Sequence, residues 1–491
     1  MKKAIVIGAG IGGLSSACLL AREGYNVTLY EKNCTPGGKV QERFKDGYRF
    51  DTGPSLLTMP FLLKKLFEQC EKNISDYLEL IEPDPLCRYF YPDGIIFDNF
   101  TELEKNKEQI RKFAPEDVSA YENFLRYSEK LYQRTANAFI FNPLYSFHDL
   151  KNLNLFNLLR INAFTTVSKK IDRSVSSSHL RKFFKRFTTY NGSSPFQAPA
   201  TLNVIPHVEL NMGGFYVKGG LYEIVRALHT LAEDLGVTFR FNETVTSIQT
   251  RNGRVTGLTC KNKEAENADI VVANSDATDT LLNLIPDDVL SSSKKKRQKK
   301  IEPSGSGFVM LLGCRKKWQS LKHHNIFFSS DYKTEFQQIF IEKRLPEDPT
   351  IYIANTSFTD PGDAPSGSSN LFVLINAPHV NNNQNWSEIK EEYSQFLISD
   401  LEKRGLNGLE NSLEFVETIT PLDFLKKYRS NSGSIYGTSS NSKFSAFLRP
   451  RNKLRALENL YLVGGSTHPG GGIPLVVQSA FNALALINRN S

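Results

Sequence analysis

The spacing of apolar residues changes along this chain, and the changes mark its predicted elements. The stretch KAIVIG is β-branched and apolar and predicts a buried strand, LSSACLLAREG has helical spacing that ends at Gly24, and YNVTLYE predicts a second strand. Near the other end, NLYLVGG (residues 459–465) predicts the last strand, and it runs through a glycine-rich turn into an apolar helix. Both ends of the chain therefore read as strand, turn, helix.

The middle of the chain predicts a further sheet and several helices. Residues 219–248 read as a helix followed by a strand, and the segments RVTGLTC and ADIVVANSD continue that sheet. Residues 305–376 are rich in strand patterns, and a helix is expected near 387–404. Residues 60–135 have helical period and many charges, so we expect helices there.

Composition indicates a soluble globular protein with more than one core. The chain has 491 residues, 40% hydrophobic and 23% charged, and a formal net charge of +8 that favours an anionic partner. Its six cysteines form no CxxC pair, which indicates a reducing compartment. Lys2 and Lys3 followed by the uncharged stretch 4–21 give a pattern that resembles a signal peptide or a membrane span. The four glycines within that stretch instead favour a strand, a turn and a buried helix. We expect no transmembrane helix.

The first glycine turn, GAGIGG, fits the pattern G-x-G-x-x-G. In that pattern the first glycine makes a tight turn, the second admits a pyrophosphate, and the third lets the helix pack on the strand. Glu31 ends the second strand, where a carboxylate accepts hydrogen bonds from ribose hydroxyls. The alternative is a plain βαβ unit with glycines for packing. We predict a dinucleotide site that includes Gly8, Gly10, Gly12, Gly13 and Glu31.

The segments after this turn resemble the flavin amine oxidase and carotenoid desaturase superfamily. NCTPGGKV, with Gly38 and Lys39, is followed by YRFDTGPSLL, and the resemblance implies that this extended segment lines FAD. It further implies that a valine in ETVTSI flanks the adenine, although an ordinary core valine is the alternative, and that an asparagine in VVANSD lies by the pyrophosphate. The residues implied are Gly38, Lys39, Pro54, Ser55, Leu56, Val245 and Asn274.

The second glycine turn is expected to hold the redox ring. Proline suits the first turn of a helix, which places the helix start near Gly472. In this superfamily that helix end points at the pyrimidine edge of the flavin, where reduction leaves negative charge that the helix dipole stabilises. The residues expected there are Gly464, Gly465, Gly472, Ile473, Pro474 and Leu475.

The segment NLYLVGGSTHPGGGIP is similar to the C-terminal signature of bacterial phytoene-desaturase-type carotenoid desaturases, and the resemblance covers nearly the whole chain. It implies a non-covalent FAD enzyme that introduces a double bond into an acyclic carotenoid end. Gly471, where phytoene desaturases usually have alanine, favours C-3,4 desaturation beside a tertiary 1-hydroxyl group. Desaturation of phytoene or a C30 analogue, redox-neutral isomerisation, and a prenyl-lipid-binding chaperone like the GDP-dissociation inhibitors are the alternatives.

The resemblance also sets the expected organisation. We expect an α/β fold: a Rossmann-like FAD-binding domain from residues 1–70, 210–300 and 455–491, and an inserted mixed-sheet substrate domain from 301–454 with parts of 71–209. A helical, membrane-associated lid is expected at 140–195. The single glycine motif and the absence of CxxC argue against a second nucleotide or a dithiol relay, so oxygen or a membrane quinone is the expected electron acceptor.

Residues 151–190 carry nine basic residues against one acid, interleaved with aromatic residues, a pattern typical of segments that lie on anionic bilayers. We therefore expect docking at the inner face of the cell membrane, although a lid with a solvated face is the alternative. The residues expected to dock are Phe156, Phe164, Arg181, Lys182, Phe183, Phe184, Lys185, Arg186, Phe187 and Tyr190.

The basic run and the histidines outside these motifs are interpreted as structural residues. The basic run at 294–300 is expected to be a solvated helix or loop, without nucleic-acid binding. His468 is interpreted as a backbone-bonding histidine rather than a catalytic base, and no base is named. His323 and His324 are expected at a strand edge of the substrate domain, and no metal site is expected.

Overall fold

A computed structural model describes residues 1–142, 164–261, 266–381, 384–442 and 449–489. The expected docking residue Phe156 lies outside these ranges. The strands are β1 (Lys3–Ile7), β2 (Asn26–Tyr30), β3 (Glu42–Lys45), β4 (Tyr48–Asp51), β5 (Leu57–Thr58), β6 (Leu80–Ile81), β7 (Cys87–Phe90), β8 (Ile96–Asn99), β9 (Gly214–Val217), β10 (Thr238–Arg240), β11 (Val245–Arg251), β12 (Arg254–Cys260), β13 (Glu266–Asn267), β14 (Ile270–Ala273), β15 (Ser306–Cys314), β16 (His324–Phe327), β17 (Ile351–Asn355), β18 (Ser369–Ala377), β19 (Leu413–Ile419) and β20 (Leu460–Leu462).

The helices of these ranges are α1 (Ile11–Arg22), α2 (Phe61–Gln69), α3 (Leu103–Arg111), α4 (Val118–Ala136), α5 (Val167–Asp172), α6 (Ser178–Lys185), α7 (Glu223–Asp234), α8 (Ala277–Asp279), α9 (Ser292–Lys299), α10 (Tyr332–Gln337), α11 (Trp386–Lys403), α12 (Leu409–Ser412), α13 (Pro421–Tyr428) and α14 (Ile473–Asn488).

A parallel five-stranded sheet joins the two ends of the chain. Its order is β10-β2-β1-β14-β20, in which β1 is central and pairs Ile5 with Thr28 on one side and Val271 on the other. This is the strand order of a dinucleotide-binding fold. Both faces are buried, one under α1, α7 and α14. The α/β prediction is confirmed, and the sheet takes strands from all three stretches predicted for this domain.

A second, mixed sheet has seven strands in the order β19-β15-β18-β17-β16-β7-β8. Its neighbours are antiparallel except β16 and β7, which run parallel. The long central strands β15 and β18 pair along their whole length, from Ser306↔Ala377 to Cys314↔Ser369, and are buried throughout most of it. Two apolar clusters cover the faces of this sheet.

Two expectations about the second unit are wrong. Residues 60–135 contain the strands β6, β7 and β8 as well as helices, because four-residue strands in charged surroundings leave little periodic signal. His323 and His324 do not lie at a sheet edge: β16 sits between β17 and β7, and both imidazoles are buried. The basic run is, as expected, an exposed helix, α9, in which no residue is buried.

The predicted membrane segment is also corrected where the structure describes it. Phe183, Phe184 and Phe187 are buried in an aromatic cluster with α4 and β7, and cannot insert into a bilayer. Lys182 Nζ donates to the carbonyls of Ser329 (2.8 Å) and Ser330 (2.9 Å). The basic partners of these rings are likewise engaged by protein groups: Lys185 with Asp172, Arg186 with Glu209, and Arg181 with the Val175 carbonyl.

The alternation of basic and aromatic residues therefore comes from an amphipathic core helix. A search of the helices in the described ranges finds none with the length and apolarity needed to cross a bilayer.

Candidate active site

The first glycine turn is shaped by contacts that leave no room for side chains. A methyl carbon built on Gly13 would lie 1.9 Å from the Gly8 carbonyl oxygen, so only glycine lets α1 pack this closely on the end of β1. Gly8 itself has φ +94°, a left-handed conformation that favours glycine. The N-terminus of α1, with its free N–H groups, consequently opens onto the turn.

The two glycine turns meet across Asn274. A methyl carbon on Gly12 would lie 2.6 Å from Asn274 Oδ1 and 3.0 Å from the Gly464 nitrogen, and one on Gly464 would lie 2.7 Å from the same oxygen. On the other side, one on Gly38 would lie 3.2 Å from the Gly10 α-carbon. Residues predicted from four separate segments thus form one cradle, in which the glycines leave the backbone bare, as is needed for a phosphate chain to approach it.

Glu31 is held at this cradle by backbone groups. Its Oε2 accepts from the Ala9 nitrogen (2.8 Å), and its Oε1 accepts from the Asn33 backbone and side-chain nitrogens (2.9 and 2.7 Å). The Glu243 nitrogen donates to the Glu31 carbonyl, which brings β11 and its first residue, Val245, to the same place. Val245 is buried with β1 side chains, so its ordinary core role and its predicted adenine role are compatible.

Lys39 has a different environment from the one expected. Its Nζ donates to the carbonyls of Ser434 (3.0 Å) and Ile435 (2.8 Å), and burial lowers the pKa of this amine while Asp276 opposes the shift. Lys39 therefore ties the glycine segment to the loop after α13. Contact with a phosphate stays a prediction.

A cavity of about 690 Å³ is lined by the segment 53–59, the second glycine turn and strands of the seven-stranded sheet. It brings together the extended segment and the second glycine turn, and the predicted residues Pro54, Ser55, Leu56, Gly472, Ile473, Pro474 and Leu475 all line it. The start of α14 lies at this wall, with Pro474 in its first turn. Apolar side chains of the substrate domain, such as Ile326, Phe372 and Leu374, form another part of the lining.

A buried ion pair interrupts this apolar lining. Arg186 and Glu209 both line the cavity and pair with each other, and the Tyr190 hydroxyl donates to the same carboxylate. Rings of Phe187 (4.0 Å) and Tyr89 (5.2 Å) surround the guanidinium carbon. Although burial alone lowers the pKa of Arg186, Glu209 raises it well above its usual value, so the arginine stays charged.

A hydrogen-bond chain links the extended segment to a buried histidine. The Ser55 hydroxyl lies 2.6 Å from the Tyr352 hydroxyl, which lies 2.8 Å from His324 Nδ1. Burial lowers the pKa of His324 well below its usual value, and the neighbouring charge of Arg186 adds to this effect. The imidazole is therefore neutral at physiological pH, with both hydroxyls able to serve as donor or acceptor.

The second turn is braced by residues that sequence reasoning missed. Arg449 Nη1 donates to the Pro469 carbonyl (2.7 Å), and Nη2 donates to the Ser440 hydroxyl (3.0 Å). His468 Nε2 lies 3.0 Å from the Asn142 carbonyl, which confirms a backbone-bonding histidine, and burial lowers its pKa to about 4. The sequence signal for Arg449 is slight, since the segment around it has neither glycines nor periodicity.

Gly471 has a packing explanation. A methyl carbon there would lie 2.8 Å from Tyr436 Cδ1, so the glycine accommodates the tyrosine ring against the turn. Gly465 packs against the same turn, where its added methyl carbon would meet the Gly471 α-carbon at 3.4 Å.

A dinucleotide cradle, together with a cavity walled by a second helix N-terminus, is the arrangement expected of a flavin-dependent oxidoreductase. Comparison with known families agrees. The model of the flavin containing amine oxidoreductases matches residues 11–488, and this chain belongs to that family. A flavin bound to a dinucleotide fold is FAD, so the cofactor prediction is confirmed.

Curated relatives place the chain within the carotenoid branch. A protein named 4,4'-diaponeurosporene oxygenase from Staphylococcus aureus (strain MSSA476) is 37% identical over 99% of this chain and 98% of its own. A 4,4'-diapolycopene oxygenase from Methylomonas sp is 36% identical over 97% and 96%. The protein is accordingly an FAD-dependent oxidoreductase of the carotenoid-desaturase type.

Solved structures share the fold at low identity. An oxidoreductase from Methanosarcina mazei covers 98% of this chain and 100% of its own with a TM-score of 0.69 at 16% identity. Cyclohexylamine oxidase from Brevibacterium oxydans IH-35A covers 99% of both chains with a TM-score of 0.64 at 14% identity.

The residues present fit FAD. The cradle of Gly10, Gly12 and Gly464 would hold the pyrophosphate, and the wall of Pro54–Leu56 and Gly472–Leu475 would hold the ring. When bound, FAD supplies a two-electron acceptor.

Proposed function

We propose that this protein oxidises the acyclic end of a linear carotenoid to an oxygen-bearing group, with water as the source of the oxygen atom and FAD as the acceptor of the two electrons released in each step. The proposal is supported by the relatives, which are named as oxygenases of linear diapocarotenoids. The observation that carries it is the ion pair of Arg186 and Glu209 in the cavity wall.

A purely hydrocarbon ligand has no polar group that could form a hydrogen bond with Arg186 or Glu209. Removing two charges from water costs several kcal/mol per ion, and replacing a buried pair with apolar residues is often neutral or stabilising. Glu209 accepts two hydrogen bonds and has capacity for more, while a guanidinium has five N–H donors. A hydroxyl group can donate to the carboxylate and an aldehyde can accept from the guanidinium, so this wall suits an oxygen-bearing end group.

The other cavity residues act on orientation and solvent. The apolar part of the lining holds the polyene in one direction, which fixes its reacting carbon relative to the ring wall. Ser55, Tyr352 and His324 form a relay of reversible hydroxyl bonds beside that wall. Because the His324 imidazole is neutral, it takes part in the relay as a hydrogen-bond partner of the Tyr352 hydroxyl.

C-3,4 desaturation of a 1-hydroxy carotenoid is the second candidate. The same polar wall would bind its tertiary hydroxyl group. Gly471, which favoured this subclass in the sequence, supports it less once its contact with Tyr436 is known, because the glycine is needed for packing.

The carotenoid itself resides in a bilayer, so we further propose peripheral contact with the inner face of the cell membrane. Phe164 lines the cavity and is 76% exposed, and Phe61 is exposed and packs on Phe141 at 6.3 Å. Phe139 and Ile140 also line the cavity. We propose that Phe61, Phe139, Ile140 and Phe164 form an apolar rim that meets the membrane in place of the buried rings of Phe183, Phe184 and Phe187. Phe164 itself belongs to the segment 151–190 that was expected to dock. We also propose that oxygen or a membrane quinone takes the electrons.

Product analysis tests the function. The FAD-loaded protein is incubated in air with a linear C30 carotenoid hydrocarbon, and separately with a 1-hydroxy carotenoid, in liposomes. A product that gains oxygen is expected from the hydrocarbon. Loss of two hydrogens from the hydroxylated substrate alone would select desaturation, and isomers of unchanged mass would refute both oxidations.

A further inference from the structure

Arg449 is a buried cation without a counter-charge. Its side chain is 8% exposed, and its two hydrogen bonds go to a carbonyl and a hydroxyl, which are neutral. Among residues 1–142, 164–261, 266–381, 384–442 and 449–489, no carboxylate forms a salt bridge with it. Other buried arginines do have such partners, namely Arg49 with Asp51 and Arg186 with Glu209.

This guanidinium lies on the second glycine turn. A methyl carbon on Gly470 would fall 1.5 Å from Arg449 Nη1, so the guanidinium packs directly on the turn backbone. Arg449 and the turn residues Pro469, Gly471 and Gly472 line the same cavity. The N-terminus of α14 begins at Gly472, and its partial positive charge adds to that of the arginine.

Two positive features at one wall, without a protein anion, imply a negative ligand. Buried charges in proteins are paired or bound to a ligand, because an isolated one is too costly. His468, the nearby titratable group, does not supply the charge, since its pKa lies near 4 and its neutral form is uncharged. The lowered pKa of Arg449, to about 10, has burial as its cause and is consistent with the missing partner.

We propose that Arg449 compensates the negative charge that FAD acquires on its pyrimidine edge when it is reduced. The arginine thereby sets the reduction potential of the cofactor. The proposal rests on the FAD assignment and on the predicted direction of the second turn, and does not depend on which carotenoid is oxidised. A carboxylate at the end of a fully oxidised carotenoid is the competing source of negative charge.

Redox titration without carotenoid separates these sources. The midpoint potential of bound FAD is measured in wild type, Arg449→Gln and Arg449→Lys, with Arg404→Gln as the matched control. Arg404 pairs with Asp348 and Asp400 away from the cavity. We expect Arg449→Gln to weaken binding of reduced relative to oxidised FAD at least tenfold, which lowers a two-electron midpoint by about 30 mV. Arg449→Lys should recover much of the shift, and Arg404→Gln should show none.

If a variant loses FAD during purification, the affinities of the apoprotein for oxidised and for reduced FAD replace the midpoint measurement. Apoprotein is then titrated with oxidised and with reduced FAD, and the ratio of the two dissociation constants is compared with wild type. An unchanged midpoint or an unchanged ratio overturns the proposal. If Arg449→Gln instead loses affinity for a carboxylate-ended carotenoid alone, with the midpoint unchanged, the charge belongs to the substrate. Failure of wild type to oxidise any carotenoid would refute the proposed function and leave the redox result standing.

Discussion

Replacing Gly13 with alanine should remove FAD from the protein. The added methyl carbon would lie 1.9 Å from the Gly8 carbonyl oxygen and 3.3 Å from Asn274 Cβ. Ordinary contact begins at about 3.4 Å, so α1 and the turn must separate by about 1.5 Å. The Gly8 oxygen cannot yield easily, because the nitrogen of the same residue donates to the Tyr30 carbonyl (2.7 Å) and fixes the turn on the sheet.

Two costs follow from that displacement. Overpacking destabilises a well-packed site by about 1–3 kcal/mol. A shift of this size also moves the N–H groups of α1 out of hydrogen-bond range, and each charge-assisted bond lost is worth about 1.5–3 kcal/mol. Losing one or two such bonds, about 1.5–6 kcal/mol in all, corresponds to roughly ten-fold to ten-thousand-fold weaker FAD binding.

The assay is the FAD content of the purified protein, followed by titration of apoprotein with FAD. Gly362→Ala is the matched control, because its methyl carbon would meet only Asp360 Oδ1 at 3.8 Å. We expect the control to bind FAD like wild type. Wild-type FAD content and affinity in Gly13→Ala would refute the assignment of this turn to the pyrophosphate.

Three further outcomes are expected. The isosteric pair Arg186→Met/Glu209→Gln should weaken binding of an aldehyde-ended carotenoid about tenfold relative to its hydrocarbon analogue, as measured by quenching of flavin fluorescence; equal losses for both ligands would make the pair purely structural. Burial raises the pKa of Glu335 to about 7, so the native state binds the extra proton and stability falls as pH rises from about 4.5 to 7. In Glu335→Gln, the free energy of unfolding measured by denaturant should lose this pH dependence, which amounts to up to about 3 kcal/mol between pH 4.5 and 7 in wild type. An unchanged pH dependence in the variant would contradict the burial argument. Phe164→Asp should reduce sedimentation with liposomes at normal FAD content, whereas equal sedimentation would place the membrane surface elsewhere.

The sequence was sufficient for features with local causes. The glycines at 8, 10, 12 and 13 stand at fixed spacing in one strand, turn and helix, and Gly13 is required by a contact within that unit, so the spacing carries the signal. The contacts of Gly10 and Gly12 with Asn274, by contrast, are visible only in the fold. The same holds for the second turn, where the proline at N1 marks the start of α14. Strands β15 to β18 were also predictable, because long buried strands are continuous apolar runs.

Features with long-range causes were not predictable from one sequence. A basic and aromatic amphipathic helix has the same pattern whether its rings face lipid or a protein core, and only the cluster around Phe183 decides between them. Arg186 and Glu209, and likewise Arg449 and Pro469, are brought together by the fold without a shared motif. The subclass argument from Gly471 failed to anticipate Tyr436, which is distant in sequence.

The central claim is that electrons pass from the end of a carotenoid to FAD in this cavity. The most direct measurement mixes the FAD-loaded protein with a linear carotenoid in the absence of oxygen and records the visible flavin band together with the carotenoid spectrum. The account predicts that the flavin band bleaches in step with the change in the carotenoid, with one carotenoid oxidised per flavin. Formation of an altered carotenoid while the flavin stays oxidised, or no change in either spectrum, would contradict it.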